Sequence, residues 1–149
     1  MSERPIEFPF QHPAAGEAGH IFHALAVYTE AAYRALPQRD RYLYDVVWFE
    51  NEVMNGGVDQ YLYNSGGDHA AECLEALAAI GAMESYDLLS QACRLFPDAM
   101  PSANWTVRRE QRQKIAGENY VDDLISGEIE PDLYQRLMSY YRKADPEGR

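Results

Sequence analysis

The stretch ENEVMNGGVDQYLYNSGGD, residues 50–68, holds the densest set of side chains that could do chemistry. It contains four carboxylates, three asparagines, a glutamine, two tyrosines and two glycine pairs, and it has no positive charge. Glu50 and Glu52 are the first candidates for an acid–base pair. On an α-helix, however, residues i and i+2 point about 200° apart, so these two carboxylates cannot flank one substrate. The spacing therefore argues against acid–base catalysis by this pair.

Two histidines in the first predicted helix, His20 and His23, are spaced i,i+3 and could share a metal ion. Glu17 lies one turn earlier, but neither an HExxH motif nor a nearby cysteine completes a zinc site. The sequence also lacks the GxSxG nucleophile elbow, the phosphate-binding GxxxxGK[ST] loop and the dinucleotide motif GxGxxG. We therefore predict a protein that is not an enzyme, with no catalytic residue, no metal site and no cofactor.

The remaining polar residues of the stretch predict a corner between two helices. Asn and Gly accept the left-handed conformation that ends a helix, and side chains spaced i,i+3 or i,i+4 share a helix face. Two interpretations are open: a polar network that locks the corner, or a pocket for a small polar ligand or peptide end. Because buried polar groups usually satisfy other groups of the fold, the first is favoured. The corner residues are Glu52, Asn55, Gly56, Gly57, Gln60, Tyr61 and Asn64.

Hydrophobic periodicity predicts an all-α fold, a single compact helical-bundle-like domain of about six or seven helices. Apolar residues recur at helical spacing, and prolines or glycines separate the segments. Residues 1–15 contain three prolines and are predicted to be an extended N-terminal arm, whereas residues 16–149 form the domain. The predicted helices run from Glu17 to Pro37, Asp40 to Asn55, Val58 to Asn64, Asp68 to Gly81, Tyr86 to Phe96, Thr106 to about Ser126, and from Pro131 onward.

The composition bounds the class of partner. The 149 residues include 24 acidic and 13 basic side chains, for a net charge of −11. Such a charge disfavours direct binding to nucleic acid or to anionic lipid. There is no apolar run that resembles a signal peptide or a membrane span, and the two cysteines, Cys73 and Cys93, fit buried thiols in a reducing compartment. We therefore expect a cytoplasmic protein.

The distribution of the acids is more informative than their number. Between Tyr42 and Cys93 there are nine acids and no base, and residues 115–135 hold six acids and no base. Helices normally mix opposite charges, because such pairs at i,i+4 stabilise them. The runs predict either a surface that binds a basic protein or a surface that serves solubility alone. The predicted partner-binding residues are Asp45, Asp59, Asp68, Glu72, Glu75, Asp122 and Asp123.

The block WFENEVMNGGVDQYLYNSGGD, followed by EALAAIGAMESYDLLSQACRLFP, resembles a bacterial family of acidic all-α proteins that was long a domain of unknown function. The matching residues run from about Tyr44 to Pro97. They include the corner residues described above, the Ile80-Gly81 helix stop and the Phe96-Pro97 break. The best-known member of this family is a DNA mimic.

The resemblance implies an all-α fold, a homodimer and a basic DNA-binding partner such as a transcriptional repressor. Carboxylates spaced like DNA phosphates would occupy the partner's DNA-binding face, where Lys and Arg normally contact the backbone. A basic patch at Arg108, Arg109, Arg112 and Lys114 departs from a uniformly acidic surface. The alternative function is a module that binds a small ligand or peptide at the polar corner around Asn55, Gln60 and Asn64.

Overall fold

The longest run of buried residues in the described part of the chain lies at the centre of the fold. In the computed structural model, which describes residues 16–148, every residue from Tyr42 to Glu52 is buried. These residues belong to one long helix, which packs against the first helix, the helix that follows it and the last two helices of the described residues. A helix that is buried all round is expected to be hydrophobic on more than one face, as Trp48 and Phe49 make it here.

The described residues form seven α-helices and no strand, in one compact helical domain, which confirms the predicted fold class. The predicted boundary at residue 15 stays a prediction, because the N-terminal arm lies outside the described residues. The helices are α1 (Gly16–Ala24), α2 (Glu30–Ala35), α3 (Gln38–Tyr63), α4 (Ala70–Ala79), α5 (Met83–Arg94), α6 (Trp105–Ala116) and α7 (Leu133–Lys143). Three short 3₁₀ helices join them, at Ser65–His69, Pro97–Ala99 and Val121–Leu124.

The predicted corner lies within α3. Gly56 and Gly57 have backbone angles outside the helical region, and Gly57 has φ +81°, so they divide the helix into two parts. The second part, from Val58 to Tyr63, corresponds to the short helical segment predicted there. The corner therefore joins two helical segments that run almost without interruption, rather than two helices separated by a loop.

Two predicted helices are shorter in the structure than the periodicity indicates. The first breaks after Ala24: Ala26 has φ +50°, and a new helix begins where Thr29 Oγ1 accepts a hydrogen bond from Ala32 N (3.1 Å). The helix predicted from Thr106 to Ser126 ends at Ala116, where Gly117 has φ +58°. In both places a local capping or glycine signal overrides a continuing apolar pattern.

Candidate functional site

The polar corner is organised around one buried carboxylate. Glu52 is 4% exposed, and its Oε2 accepts hydrogen bonds from Gln60 Nε2 (2.7 Å) and Asn64 Nδ2 (3.0 Å). The structure thus brings three of the predicted corner residues together across the Gly56-Gly57 kink. Tyr61 is buried and packs edge-on against Phe49. Asn55 is exposed and lies outside the Glu52 network. Because both amides donate to Glu52, the geometry favours the structural interpretation of the corner over a ligand pocket.

The second half of α3 is capped by a residue distant in sequence. Asp122 Oδ1 accepts from Val58 N (2.8 Å) and Asp122 Oδ2 accepts from Asp59 N (3.0 Å). A helix N-terminus leaves such amides without intrahelical partners and favours a negative charge beside them. A Cβ at Gly57 would lie 2.7 Å from the Asp122 carboxylate, so the kink requires glycine for both its φ and its close approach.

Asp59 and Arg112 form a paired charge next to this cap. Arg112 donates from Nε (3.0 Å) and Nη2 (2.8 Å) to the two oxygens of Asp59, a bidentate geometry that suits guanidinium and carboxylate. Asp59 Oδ2 also accepts from Val121 N (2.7 Å). Asp59 is 5% exposed, so its charge is directed into the fold. The hydrogen bond to Asp59 raises the pKa of Arg112.

Arg108 is completely buried, although its side chain is charged. Its Nε donates to Leu62 O (2.6 Å), and its Nη2 donates to Asn64 O (2.9 Å) and to Asp68 Oδ1 (2.8 Å). A Cβ at Gly67 would lie 2.8 Å from Arg108 Nε, so the second glycine pair makes room for this side chain. Arg108 and Arg112 are therefore structural, and the predicted basic patch shows only Arg109 and Lys114 as exposed cations.

Asp45 lies in a buried polar cluster that joins α2 to α3. Tyr33 Oη donates to Asp45 Oδ2 (2.6 Å), and the Tyr33 ring stacks on His69 with centroids 3.8 Å apart. His69 Nε2 bonds Glu30 Oε2 at 2.7 Å. Burial raises the pKa of Asp45 to about 7, against the opposing effects of His69 and Tyr33. Burial alone would lower the pKa of His69, but the hydrogen bond to Glu30 and the charge of Asp45 raise it.

The structure corrects the predicted acidic surface at two positions. Asp45 and Asp59 are 3% and 5% exposed and cannot meet a partner, because hydrogen-bond donors of the fold surround their carboxylates.

The other five predicted acids reach the surface to different extents. Asp68 and Glu72 are partly buried, and each binds an arginine: Arg108 Nη2–Asp68 Oδ1 is 2.8 Å and Arg34 Nη1–Glu72 Oε1 is 2.6 Å. Asp122 is half-buried as a helix cap, whereas Glu75 and Asp123 are exposed. Counting charges along the sequence takes no account of burial, so it overestimates how many of these carboxylates lie at the surface.

Three exposed carboxylates outside the predicted set lie along α5 and the segment that follows the last 3₁₀ helix. The segment is held to α5 at two places: Gln91 Nε2 donates to Ser126 O (2.6 Å), and Ser85 Oγ donates to Glu130 Oε1 (2.6 Å). Asp87 bonds Gln91 and so lies on this side of α5, and Glu84 is one turn earlier. Glu128 lies between the two anchor points. We call Glu84, Asp87 and Glu128 the acidic strip.

A groove opens beside the Gly56-Gly57 kink, and we call it the kink groove. Two of the residues that line it are exposed tyrosines, Tyr63 (43% exposed) and Tyr120 (64% exposed). The others are Gly56, Gly57, Asp59, Gln60, Arg112, Asp122 and Asp123. Sequence reasoning found most of these residues but assigned them to three separate features, the corner, the acidic surface and the basic patch, because the chain brings residues 56–63 and 112–123 together only in the fold.

The described residues contain no group of three or more His, Cys, Asp or Glu side chains placed to hold a metal ion. Within residues 16–148, no helix has the length and apolar character that crossing a membrane requires. Cys73 and Cys93 are buried free thiols, and burial raises the pKa of both.

A family model described as DMP19-like protein matches residues 34–144, which is most of the chain and contains every predicted corner and acidic residue named above. Searches of curated proteins and of solved structures found no significant match.

Proposed function

The chain belongs to the DMP19-like protein family, a family of DNA mimics, and from this premise we propose that it binds a basic DNA-binding protein and blocks its DNA site. The partner is a protein such as a transcriptional repressor, and the action is binding without catalysis. The observation that carries the proposal is the family match over residues 34–144, which covers both α5 and the segment that carry the acidic strip.

The distribution of charge supports this function. Arg108 and Arg112, two cations of the apparent basic patch, are turned inward onto carbonyls and onto Asp68 and Asp59. The strip carboxylates Glu84, Asp87 and Glu128 stay at the surface. Proteins that bind DNA rely on Lys and Arg contacts to a dense row of phosphates, and an array of fixed carboxylates competes for the same side chains.

Glu75 and Asp123 are the exposed members of the predicted acidic surface, and both are candidate contacts. Glu75 lies on α4, which packs against α5. Asp123 lies in the 3₁₀ helix that also contacts α5. The proposed interface is thus centred on α5, with contributions from elements on either side of it.

The test is affinity capture from a lysate of the source organism at low salt, with elution by rising salt. We expect the wild-type chain to retain a protein that binds duplex DNA when assayed alone. Because the Debye length falls from about 10 Å at 0.1 M salt to about 3 Å at 1 M, the captured protein should elute as salt rises. Capture of no DNA-binding protein at low salt contradicts the proposal.

A matched pair of variants locates the interface. The strip variant carries Glu84→Gln, Asp87→Asn and Glu128→Gln. The control carries Glu110→Gln, Glu118→Gln and Glu147→Gln, which removes three charges from other exposed positions. Surface charges at an interface act mainly on the association rate and its salt dependence. We expect the strip variant to capture less partner than the control, and equal losses would mean that only net charge matters.

The homodimer, the cytoplasmic location and the absence of catalysis are parts of the same proposal. The family resemblance supports the dimer. Light scattering on the purified chain tests it: a mass near twice 17.0 kDa is the expected result, and a mass near 17.0 kDa contradicts it.

A further inference from the structure

The residues of the kink groove are those of a recognition site for a planar cation such as guanidinium. Tyr63 and Tyr120 both line it and both are substantially exposed, and the Gly56-Gly57 backbone lies beside them. Exposed aromatic side chains are enriched at protein interfaces, where they supply contact area at low entropic cost. Two of them in one groove are more than the scattered apolar exposure that is normal for a soluble surface.

The backbone at both tyrosines is held in place before any partner arrives. Tyr120 N donates to Asp123 Oδ2 (3.2 Å), and the next amide, Val121 N, donates to Asp59 Oδ2 (2.7 Å). Tyr63 O accepts from Trp105 Nε1 (2.6 Å). A groove whose walls are already ordered loses less entropy on binding.

The charge of the groove is negative. Arg112 is the only cation among the described residues that line it, and its guanidinium is engaged by Asp59, by Gly117 O (2.8 Å) and by Asn119 O (2.6 Å). Three carboxylates line the same groove, and of these Asp123 is exposed. One cation against three carboxylates leaves an excess of negative charge, which a basic side chain would complement.

We propose that the kink groove takes one arginine side chain of the partner, with its guanidinium against the Tyr120 ring and within reach of Asp123. This inference rests on the proposed function, because the arginine belongs to the basic protein that the chain binds. Arginine fits better than lysine, since its planar guanidinium stacks on aromatic faces and pairs with carboxylates through two donors. The chain shows the same geometry in Arg109, whose guanidinium lies 4.9 Å from the Tyr63 ring centroid and 4.4 Å from that of Trp105.

The test is an NMR titration with three capped tripeptides, Gly-Arg-Gly, Gly-Lys-Gly and Gly-citrulline-Gly. Citrulline keeps the shape of arginine without its charge. We expect the arginine peptide to shift the amides of Gly56, Gly57 and Tyr120, the lysine peptide to bind more weakly, and the citrulline peptide not to bind. Tyr120→Ala and Asp123→Asn should each raise the Kd of the arginine peptide about threefold or more.

The outcomes separate this inference from the proposed function. Shifts at the acidic strip but not at the groove overturn the groove and leave the DNA-mimic proposal standing. If the citrulline peptide binds as tightly as the arginine peptide, recognition by charge is overturned. The strip variant is the control, and it should bind the arginine peptide with a Kd close to that of the wild type. The double variant Tyr120→Ala/Asp123→Asn gives a second check. If it captures as much of the DNA-binding protein as the wild type does, the groove proposal is overturned and the DNA-mimic proposal stands.

A second, independent feature is a small cavity whose lining residues are all buried. It is lined by Tyr44, Asp45, Trp48, Tyr61, Ser65, Gly66 and His69. Tyr44 Oη and Ser65 Oγ are buried, and within residues 16–148 neither has a hydrogen-bond partner. The space open to the centre of a water molecule is about 10 Å³, which is close to the room one water needs. We infer that one buried water molecule binds here and bridges Tyr44 and Ser65.

The sign of a stability change tests this water site. If a water bridges the hydroxyls, Tyr44→Phe and Ser65→Ala each remove one of its partners and lower the Tm, and the double variant loses less than the sum of the two. If the hydroxyls are bare, Tyr44→Phe removes an unsatisfied buried group and leaves the Tm unchanged or raises it; this result overturns the site. Tyr63→Phe, at an exposed ring, is the matched control and should leave the Tm unchanged.

Discussion

At the scale of single residues, several charged side chains of this acidic protein are structural. Glu52 holds the corner amides, Asp59 holds Arg112, and Arg108 holds the carbonyls at the end of α3. Buried charges are tolerated only where partners surround them, and each of these has several. Changes at these positions should therefore act on folding before they act on binding.

Arg108→Met tests this for the buried cation. The substitution keeps much of the side-chain volume but leaves Leu62 O, Asn64 O and Asp68 without a donor that they use. We expect the free energy of unfolding to fall by about 3 kcal/mol or more, as when one partner of a buried ion pair is removed. The same change at exposed Arg109 should cost about 1 kcal/mol or less. Urea denaturation of both variants makes the comparison, and equal losses would contradict a structural role for Arg108.

The corner amides give a smaller effect. Gln60→Ala and Asn64→Ala each remove one donor from Glu52, which stays buried. Each should lower the free energy of unfolding by about 1–3 kcal/mol, as measured by thermal or urea denaturation. Variants that melt like the wild type would revive the alternative in which these amides serve a ligand.

Asp45 predicts an unusual pH dependence. Burial raises its folded-state pKa to about 7, while an unfolded Asp titrates near 3.8. The folded state therefore binds the proton more tightly, and stability falls as pH rises from about 4 to 7, by up to about 1.4 kcal/mol per pH unit for one proton. His69, whose pKa is also raised, acts in the same direction, because its stabilising charge is lost as pH rises through its folded pKa.

Asp45→Asn is the matched variant, since an amide oxygen can still accept from Tyr33 Oη. Urea denaturation between pH 5 and pH 8 should show stability falling with pH in the wild type and a flatter profile in the variant. The remaining slope reports His69 and the other charges that face this cluster, Glu72 and Arg41. A wild-type stability that rises through this range would contradict the assignment of a raised pKa to Asp45.

At the scale of elements, the helical segment after the kink in α3 is capped by a residue that lies 64 positions later in the sequence than Val58. Asp122 accepts the amides of Val58 and Asp59, and it lies where a side chain on Gly57 would collide. Asp122→Ala should lower the free energy of unfolding by about 1–2 kcal/mol, the usual effect of losing an N-cap. The neighbouring Asp123→Ala keeps the cap and should cost clearly less. Denaturation curves that coincide for the two variants would mean that Asp122 is not the cap that stabilises this segment.

The elements also show what the sequence could predict. The glycine corner, the central helix and the helical stop at Gly81 follow from local signals, because glycine and apolar periodicity act over a few residues. The break at Ala26 was missed, since the apolar pattern continues through it. The contact of Asp122 with Val58, which spans 64 residues, and the pairing of Arg112 with Asp59 carry no local signal in a single sequence.

At the scale of the whole molecule, the net charge of −11 does not describe the surface that a partner meets. Of the nine acids between Tyr42 and Cys93, the structure buries Asp45, Glu50, Glu52 and Asp59. The resemblance to the DNA-mimic family was recognisable from sequence, and the match over residues 34–144 confirms it. The acidic strip could not be recognised from the sequence, because the burial of each side chain and the packing of residues 126–130 against α5 are properties of the fold.

The central claim is that this chain and DNA occupy the same site on a basic protein. The most direct measurement is a displacement titration, in which the chain is added to the captured partner bound to fluorescent duplex DNA and the anisotropy is followed. We predict that wild-type chain releases the DNA, that the strip variant does so only at higher concentration, and that the matched control behaves like the wild type. A complex in which the chain and the DNA are bound to the partner together would contradict the account.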